Sequence, residues 1–236
     1  MEYYFTSESS INHSASTLIL TGQEFKHLSK VLRKKQGDLI DVTDGKLNVY
    51  HCKISSIETD KISCDILSKD HNIGEPEIEL TVYFSLLKNM ERYEFGVEKL
   101  VELGVKKIIP LITERTIIKE ELSVNKLARL NKIVLSAVSQ SQRCFLPVIE
   151  NAIKLKDLIP EEGAKNYFMY EFSNEEKKIE TILQKKVTII IGPEGGFTEH
   201  EADMLSKKGW NPASLGKRKF RAETAAIVAA SQIFNI

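Results

Sequence analysis

"IIIGPEGGFTEHEADML", Ile189 to Leu205, is the stretch on which the reading of the fold turns. An apolar, β-branched run stops at a glycine-rich loop carrying one acid: Gly192, Pro193, Glu194, Gly195, Gly196. Thr198 and Glu201 then stand at capping-box spacing, where the hydroxyl accepts the N–H three residues on and the carboxylate reaches back. A helix is predicted to begin there. Strand, loop and helix in that order belong to a parallel sheet, whose ligands gather at the carboxyl ends of its strands. The glycines allow a close approach that a Cβ would block, and the free N–H groups of the helix start favour an anionic group. A tight turn with no ligand would use the same residues, so the loop alone does not decide. It carries neither the Gly-Lys-Ser/Thr of a phosphate loop nor the spacing Gly-x-Gly-x-x-Gly. Glu194 argues against a bare polyphosphate and for a ligand with hydroxyls or a positive centre.

Outward from this stretch, strand and helix patterns alternate from about residue 80 to the end. "LTVYFSLL", "VKKIIPLIT", "NYFMYEF", "KVTIIIG" and "PASLG" read as strands. Between them "NMERYEFGVEKLVELG" is an amphipathic helix with Gly104 at its C′ position, and "VNKLARLNKIVLSAVSQS" puts Leu127, Leu130, Ile133, Val134, Ala137 and Val138 on one face. "NEEKKIETILQ" and "AETAAIVAASQIF" read as further helices, the last apolar on nearly every side, which points to full burial or a subunit contact. The alternation predicts a parallel sheet covered by helices. Residues 1 to about 70 differ: short β-branched runs with a hairpin signal at Asp44-Gly45, plus one helix over "GQEFKHLSKVLR" with Phe25, Leu28, Val31 and Leu32 inward. That is the pattern of a small barrel. "DHNIGEPEIE" is polar and reads as the linker, so the division is 1–72 and 73–236.

The 236 residues include 33 basic and 33 acidic side chains, so the net charge is zero and charge alone does not coat nucleic acid. Two local clusters break the balance: Lys26, Lys30, Arg33, Lys34 and Lys35, and then Lys217, Arg218, Lys219 and Arg221. Either could be a solvated face or a phosphate contact. No apolar run approaches a membrane span, and the N-terminal residues show no signal-peptide pattern. Three widely spaced cysteines fit a reducing, cytoplasmic setting. No metal is expected, since His51-Cys52 has no partner at ligand spacing. Cys144 is best read as a small buried thiol.

"SLGKRKFRAETAAI", 214 to 227, is the second site-like stretch. A strand ends at Leu215-Gly216, a basic turn follows, and Glu223 and Thr224 open an apolar helix. Glu223 suits the helix dipole, and a structural or a functional role remains open for it.

Taken together, "IIIGPEGGFTEHE" and "LGKRKFRAETA" closely resemble the C-terminal motifs of the ribosomal RNA uridine-N3 methyltransferases, of the SPOUT class. "FKHLSKVLRKKQGDLIDVTDG", "EKLVELGVKKIIP" and "SQSQRCFLP" resemble the family's earlier segments in the same order. The resemblance implies a PUA-like β-barrel that binds RNA, an α/β domain with a parallel sheet and trefoil knot, and a homodimer. It implies S-adenosylmethionine as methyl donor and one uridine of 16S ribosomal RNA as target. Free RNA and the assembled small subunit both stay open as the substrate form, and the zero net charge points to the assembled particle, since charge alone binds weakly. Following the family, the donor site is expected at Tyr170, Glu171, Gly192, Pro193, Glu194, Gly195, Gly196, Leu215, Gly216, Phe220 and Thr224. For Tyr170 and Phe220 a plain core role is equally open. Arg221 is expected to stabilise charge on the base, Arg218 to bind phosphate or base beside it, and Glu223 or water to take the proton. Lys26, His27, Lys30, Arg33, Lys34 and Arg143 are the expected RNA contacts, although His27 could instead cap a helix face. The family's early arginine is missing: none precedes Arg33. A SPOUT enzyme acting on another nucleotide, a non-catalytic RNA-binding protein and a nucleotide-binding regulator are the competing readings.

Overall fold

A computed structural model describes residues 2–171, 179 and 184–236. The chain divides into two units, Met1–Glu75 with Leu135–Leu146, and Pro76–Val134 with Pro147–Ile236. The segment 135–146, which the sequence reading placed with the second domain, thus groups with the first unit.

The first unit holds β1 (Tyr3–Phe5), β2 (Ile11–Asn12), β3 (Thr17–Thr21), α1 (Gly22–Lys26), β4 (Leu39–Thr43), β5 (Asn48–Ile57) and β6 (Lys61–His71). The strands form one six-stranded sheet in the order β1-β4-β5-β6-β3-β2. All pairs are antiparallel except β1 with β4. Register shifts in β5 after His51 and Ile54 bend the long hairpin, as bulges do. Thr6 then draws the two edges together: its N–H donates to Thr43 O (3.0 Å) and its hydroxyl to Ile19 O (2.8 Å). The closed side buries Leu18, Leu20, Ile40, Val42, Ile54 and Ile62. The hairpin predicted at Asp44-Gly45 is present. Gly45 sits at φ +70, and Asp44 Oδ1 accepts the N–H groups of Lys46 and Asn48.

The predicted N-terminal helix is shorter than its pattern. After α1, residues His27–Val31 open into a π-turn, with Leu32 N–H donating to His27 O at 3.0 Å. The wider turn rotates the apolar row. Phe25 and Leu28 are buried, whereas Val31 and Leu32, predicted inward, are 69% and 42% exposed.

The second unit holds β7 (Glu79–Ser85), α2 (Met90–Glu102), β8 (Lys107–Ile112), β9 (Val148–Ile149), β10 (Ile153–Lys154), β11 (Lys165–Met169), β12 (Lys186–Ile191), α4 (Glu199–Lys207), β13 (Asn211–Ala213) and α5 (Ala222–Phe234). α3 (Val124–Gln140) crosses the division in sequence. The sheet runs β10-β8-β7-β12-β11-β13, with β9 also on β8, and every pair is parallel. The short strands β9 and β10 carry too few alternating residues to be read from sequence. α2 ends as predicted: Gly104 takes φ +107, and Val105 N–H closes on Leu100 O. The predicted helix "NEEKKIETILQ" lies almost wholly outside the described residues. No helix among the described residues is long and apolar enough to cross a membrane.

Candidate active site

Three adjacent parallel strands, β12, β11 and β13, end side by side, and the chain leaving each of them walls one cavity of about 520 Å3. From β12 come Gly192, Pro193, Glu194, Gly196 and Phe197; from β11, Tyr170 and Glu171; from β13, Ser214 to Arg221. The pairing persists past the strand ends, since Tyr170 N–H donates to Ala213 O at 3.0 Å. The size suits a small-molecule ligand, for which about 300–1,000 Å3 is usual.

The loop's shape depends on missing side chains. A Cβ on Gly192 would lie 3.2 Å from the Phe197 ring, and Gly196 and Gly216 hold φ +66 and +106. Backbone polar groups therefore line a cradle that apolar Ile191, Leu215 and Phe220 flank. An aromatic base with a hydroxylated sugar fits such a cradle: it needs an apolar slot for its ring and backbone groups for its edges.

The capping box predicted at Thr198 is complete. Glu201 N–H donates to Thr198 Oγ1 (3.1 Å) and Thr198 N–H to Glu201 Oε2 (2.9 Å). The first turn of α4 does not line the cavity, however. One of its donors, Glu201 N–H, is taken by the cap. Gly195 also faces elsewhere. Its carbonyl accepts from Arg115 Nη1 at 2.7 Å, and its Cβ position looks onto the Arg115 stem. Thr224 lies beyond the lining as well. The other expected donor-site residues are brought together, with Arg218 and Arg221 exposed at the rim.

Glu223 does not face the cavity as a free base. Its side chain is 8% exposed, and Arg92 grips it with Nε (2.9 Å) and Nη2 (2.5 Å). Burial pushes the carboxyl up, but the hydrogen bonds from Arg92 and the charges of Arg92 and Arg221 outweigh it and hold the carboxyl below its ordinary range. Arg92 was missed by sequence reasoning. It lines the cavity, and its Nη1 stands 3.7 Å from Glu194. Its signal was an arginine in the first turn of a helix that follows a strand at the ligand edge of the sheet. Arg115, just past the end of β8, stands at the same edge of the sheet but on no helix.

In the first unit Lys26, Lys30 and Arg33 are exposed, Lys34 is half-buried, and His27 packs edge-on to Tyr4. Arg143 corrects the expectation of an RNA contact. Its side chain is 6% exposed and bonded to Glu75, itself 2% exposed, so a phosphate cannot reach it. Cys144 is buried, with its thiol pushed up by desolvation. Among the described residues no cluster of His, Cys, Asp or Glu is arranged to hold a metal ion.

Residues 74–234 match the family described as RNA methyltransferase domain, and residues 20–67 match the RNA methyltransferase PUA domain. The ribosomal RNA small subunit methyltransferase E of Aquifex aeolicus is 31% identical over 92% of this chain and 94% of its own. The chain belongs to the ribosomal RNA small subunit methyltransferase E family. The family's member from Rickettsia conorii is 33% identical over 88% of this chain and 84% of its own. Among solved structures, the family member from Neisseria gonorrhoeae bound to S-adenosyl methionine superposes with a TM-score of 0.87. It is 30% identical and covers 99% of this chain and 96% of its own.

Proposed function

We propose that the protein methylates N3 of one uridine in 16S ribosomal RNA, with S-adenosylmethionine as donor. The observation that carries this reading is the cavity at the ends of β12, β11 and β13, in a chain of this family whose Neisseria gonorrhoeae relative binds the donor. The donor supplies an electrophilic methyl on a sulfonium. The backbones around Gly192, Gly196, Leu215 and Gly216 would cradle it, with Tyr170, Glu171 and Phe220 as the other walls. Arg221 offsets the negative charge that develops on the uracil oxygens, and Arg218 holds phosphate or base beside it. N3 takes part in base pairing, so the uridine must be presented unpaired.

The PUA-like unit supplies RNA binding through Lys26, His27, Lys30, Arg33 and Lys34. Zero net charge favours the assembled particle over free RNA, because charge alone gives weak attachment. The reading includes a trefoil knot in the second unit, a cytoplasmic setting and a homodimer. The half-buried Ala225, Ile227 and Val228 of α5 support the last of these.

The test is transfer of labelled methyl from S-adenosylmethionine to small subunits from cells that lack the modification, followed by mapping of the product. N3-methyluridine at one position supports the proposal. Label on a different nucleotide moves the protein to another SPOUT activity, and no transfer with S-adenosylhomocysteine still bound refutes the RNA target.

A further inference from the structure

Two carboxylates flank Arg92, and their surroundings differ. Glu223 is buried, with both oxygens taken by Nε and Nη2. Glu194 is 33% exposed on the cavity wall. Its Oε1 accepts the Lys88 N–H at 3.2 Å and lies 3.7 Å from Arg92 Nη1. Its Oε2 has no hydrogen bond among the described residues. We infer that Glu194 takes the N3 proton of the acceptor uridine, that Arg92 Nη1 holds the neighbouring carbonyl oxygen, and that Glu223 positions Arg92. This rests on the uridine reading above.

The argument is one of matched edges. The imide edge of uracil presents an N–H between two carbonyl oxygens. Glu194 and the outer edge of Arg92 present an acceptor beside a donor, which is the complement of half that edge. Arg92 gives Glu223 its Nε N–H and one Nη2 N–H, so Nη1 and the end of the guanidinium are left for the cavity. The anchoring is built in. Gly96 follows Arg92 by one turn, and a Cβ there would lie 2.7 Å from the Phe84 ring and 3.4 Å from Glu223 Cβ. Its absence lets α2 close on α5 near enough for the short Arg92–Glu223 pair. The Asn89 side chain caps α2 by accepting from Glu91 and Arg92 N–H. That helix start also favours negative charge on the deprotonated base. The other charged groups on the cavity wall are Glu171, Lys217, Arg218, Lys219 and Arg221.

The step balances. The N3 proton passes to Glu194 Oε2, and the N3–CH3 bond forms as the methyl–sulfur bond of the donor breaks. Arg92 and Arg221 meet the charge on the uracil oxygens. The products are N3-methyluridine, S-adenosylhomocysteine and a protonated Glu194, which loses its proton to solvent through its exposed face.

The experiment compares wild type, Glu194→Gln, Arg92→Lys and Glu223→Gln in single-turnover methyl transfer at saturating donor from pH 5.5 to 9, alongside calorimetric binding of S-adenosylhomocysteine. Glu194→Gln is expected to lose about 10²–10⁴-fold in rate at pH 7, the usual worth of a positioned base. Its rate should climb with pH where wild type is level, and because the donor is saturating, a change in S-adenosylhomocysteine affinity does not enter that comparison. Glu223→Gln should lower the rate but keep the wild-type pH profile. Three results overturn the assignment: a wild-type profile in Glu194→Gln, a loss confined to S-adenosylhomocysteine affinity, or a Glu223→Gln profile like that expected of Glu194→Gln. If wild type itself makes no methyluridine, the uridine reading has failed and this inference goes with it.

Discussion

Arg143→Ala should destabilise the first unit severely and leave RNA contact untouched. The Arg143 guanidinium donates to Glu75 through Nε (3.3 and 3.2 Å) and Nη2 (2.7 Å). Glu75 Oε1 also accepts the backbone N–H groups of Cys144 and Phe145, each at 3.0 Å. Removing the guanidinium leaves a buried carboxylate with two amide donors and no counter-charge. Breaking one side of such a pair costs about 3–5 kcal/mol. With a urea slope of about 2 kcal/mol/M, the midpoint should fall by about 1.5–2.5 M. The assay is a urea titration followed by hydrogen exchange of the β4 and β5 amides, which report this unit. Glu75→Gln strands the arginine instead and should cost a similar amount. The pair Glu75→Gln with Arg143→Met removes both charges and should recover much of the loss, since the cost lies in the unpaired ion. An Arg143→Ala protein of wild-type stability but weakened RNA affinity would refute this reasoning and return the arginine to the RNA-binding surface.

Four further outcomes are expected. Arg221→Ala should lower turnover about 10²–10³-fold with S-adenosylhomocysteine affinity nearly unchanged; unaltered turnover removes Arg221 from its electrostatic role. Gly216→Ala meets no atom within 4 Å, so backbone strain at φ +106 is its whole effect. It should cost about 1–3 kcal/mol and weaken S-adenosylhomocysteine binding by calorimetry. His51 donates between Asp70 and Asp41, whose hydrogen bonds raise its pKa above the unfolded value of about 6.5. The stability it adds is complete below about pH 6.5 and is lost as pH rises through the folded pKa, so His51→Gln should flatten that decline in urea midpoints. Replacing Lys217, Arg218 and Lys219 together by Gln should shallow the salt dependence of RNA affinity by about two in log–log slope.

Where one physical signal acted alone, the sequence was a good guide. The capping box at Thr198, the C′ glycine at 104 and the strand–helix alternation all follow from local rules, and all are present. The glycine-rich turn at Gly192 and Gly196 was legible for the same reason, whereas Gly216 was expected from the family resemblance alone. Val31 and Leu32 were misplaced because an apolar spacing of 3.6 residues says nothing about one π-turn that rotates it. Arg143 was expected at the RNA from the family resemblance, and nothing local in "SQSQR" reveals Glu75, the partner 68 residues away that buries it. Glu223 and Arg92 lie 131 residues apart, so the pairing that takes one from the role of base and brings the other to the cavity is visible only once α2 meets α5.

The cavity's third wall hangs from β13, a strand of three residues at the sheet's edge, held by pairing with β11 alone. The turn after it, Ser214 to Arg221, leaves the sheet from that small rung before α5 packs back against α2 and β12. Whatever occupies the cavity touches both sides of the seam and so adds to the attachment of β13 and the turn after it. Affinity and edge docking are then coupled, and the amides of β11 and β13 exchange more slowly as the ligand binds more tightly.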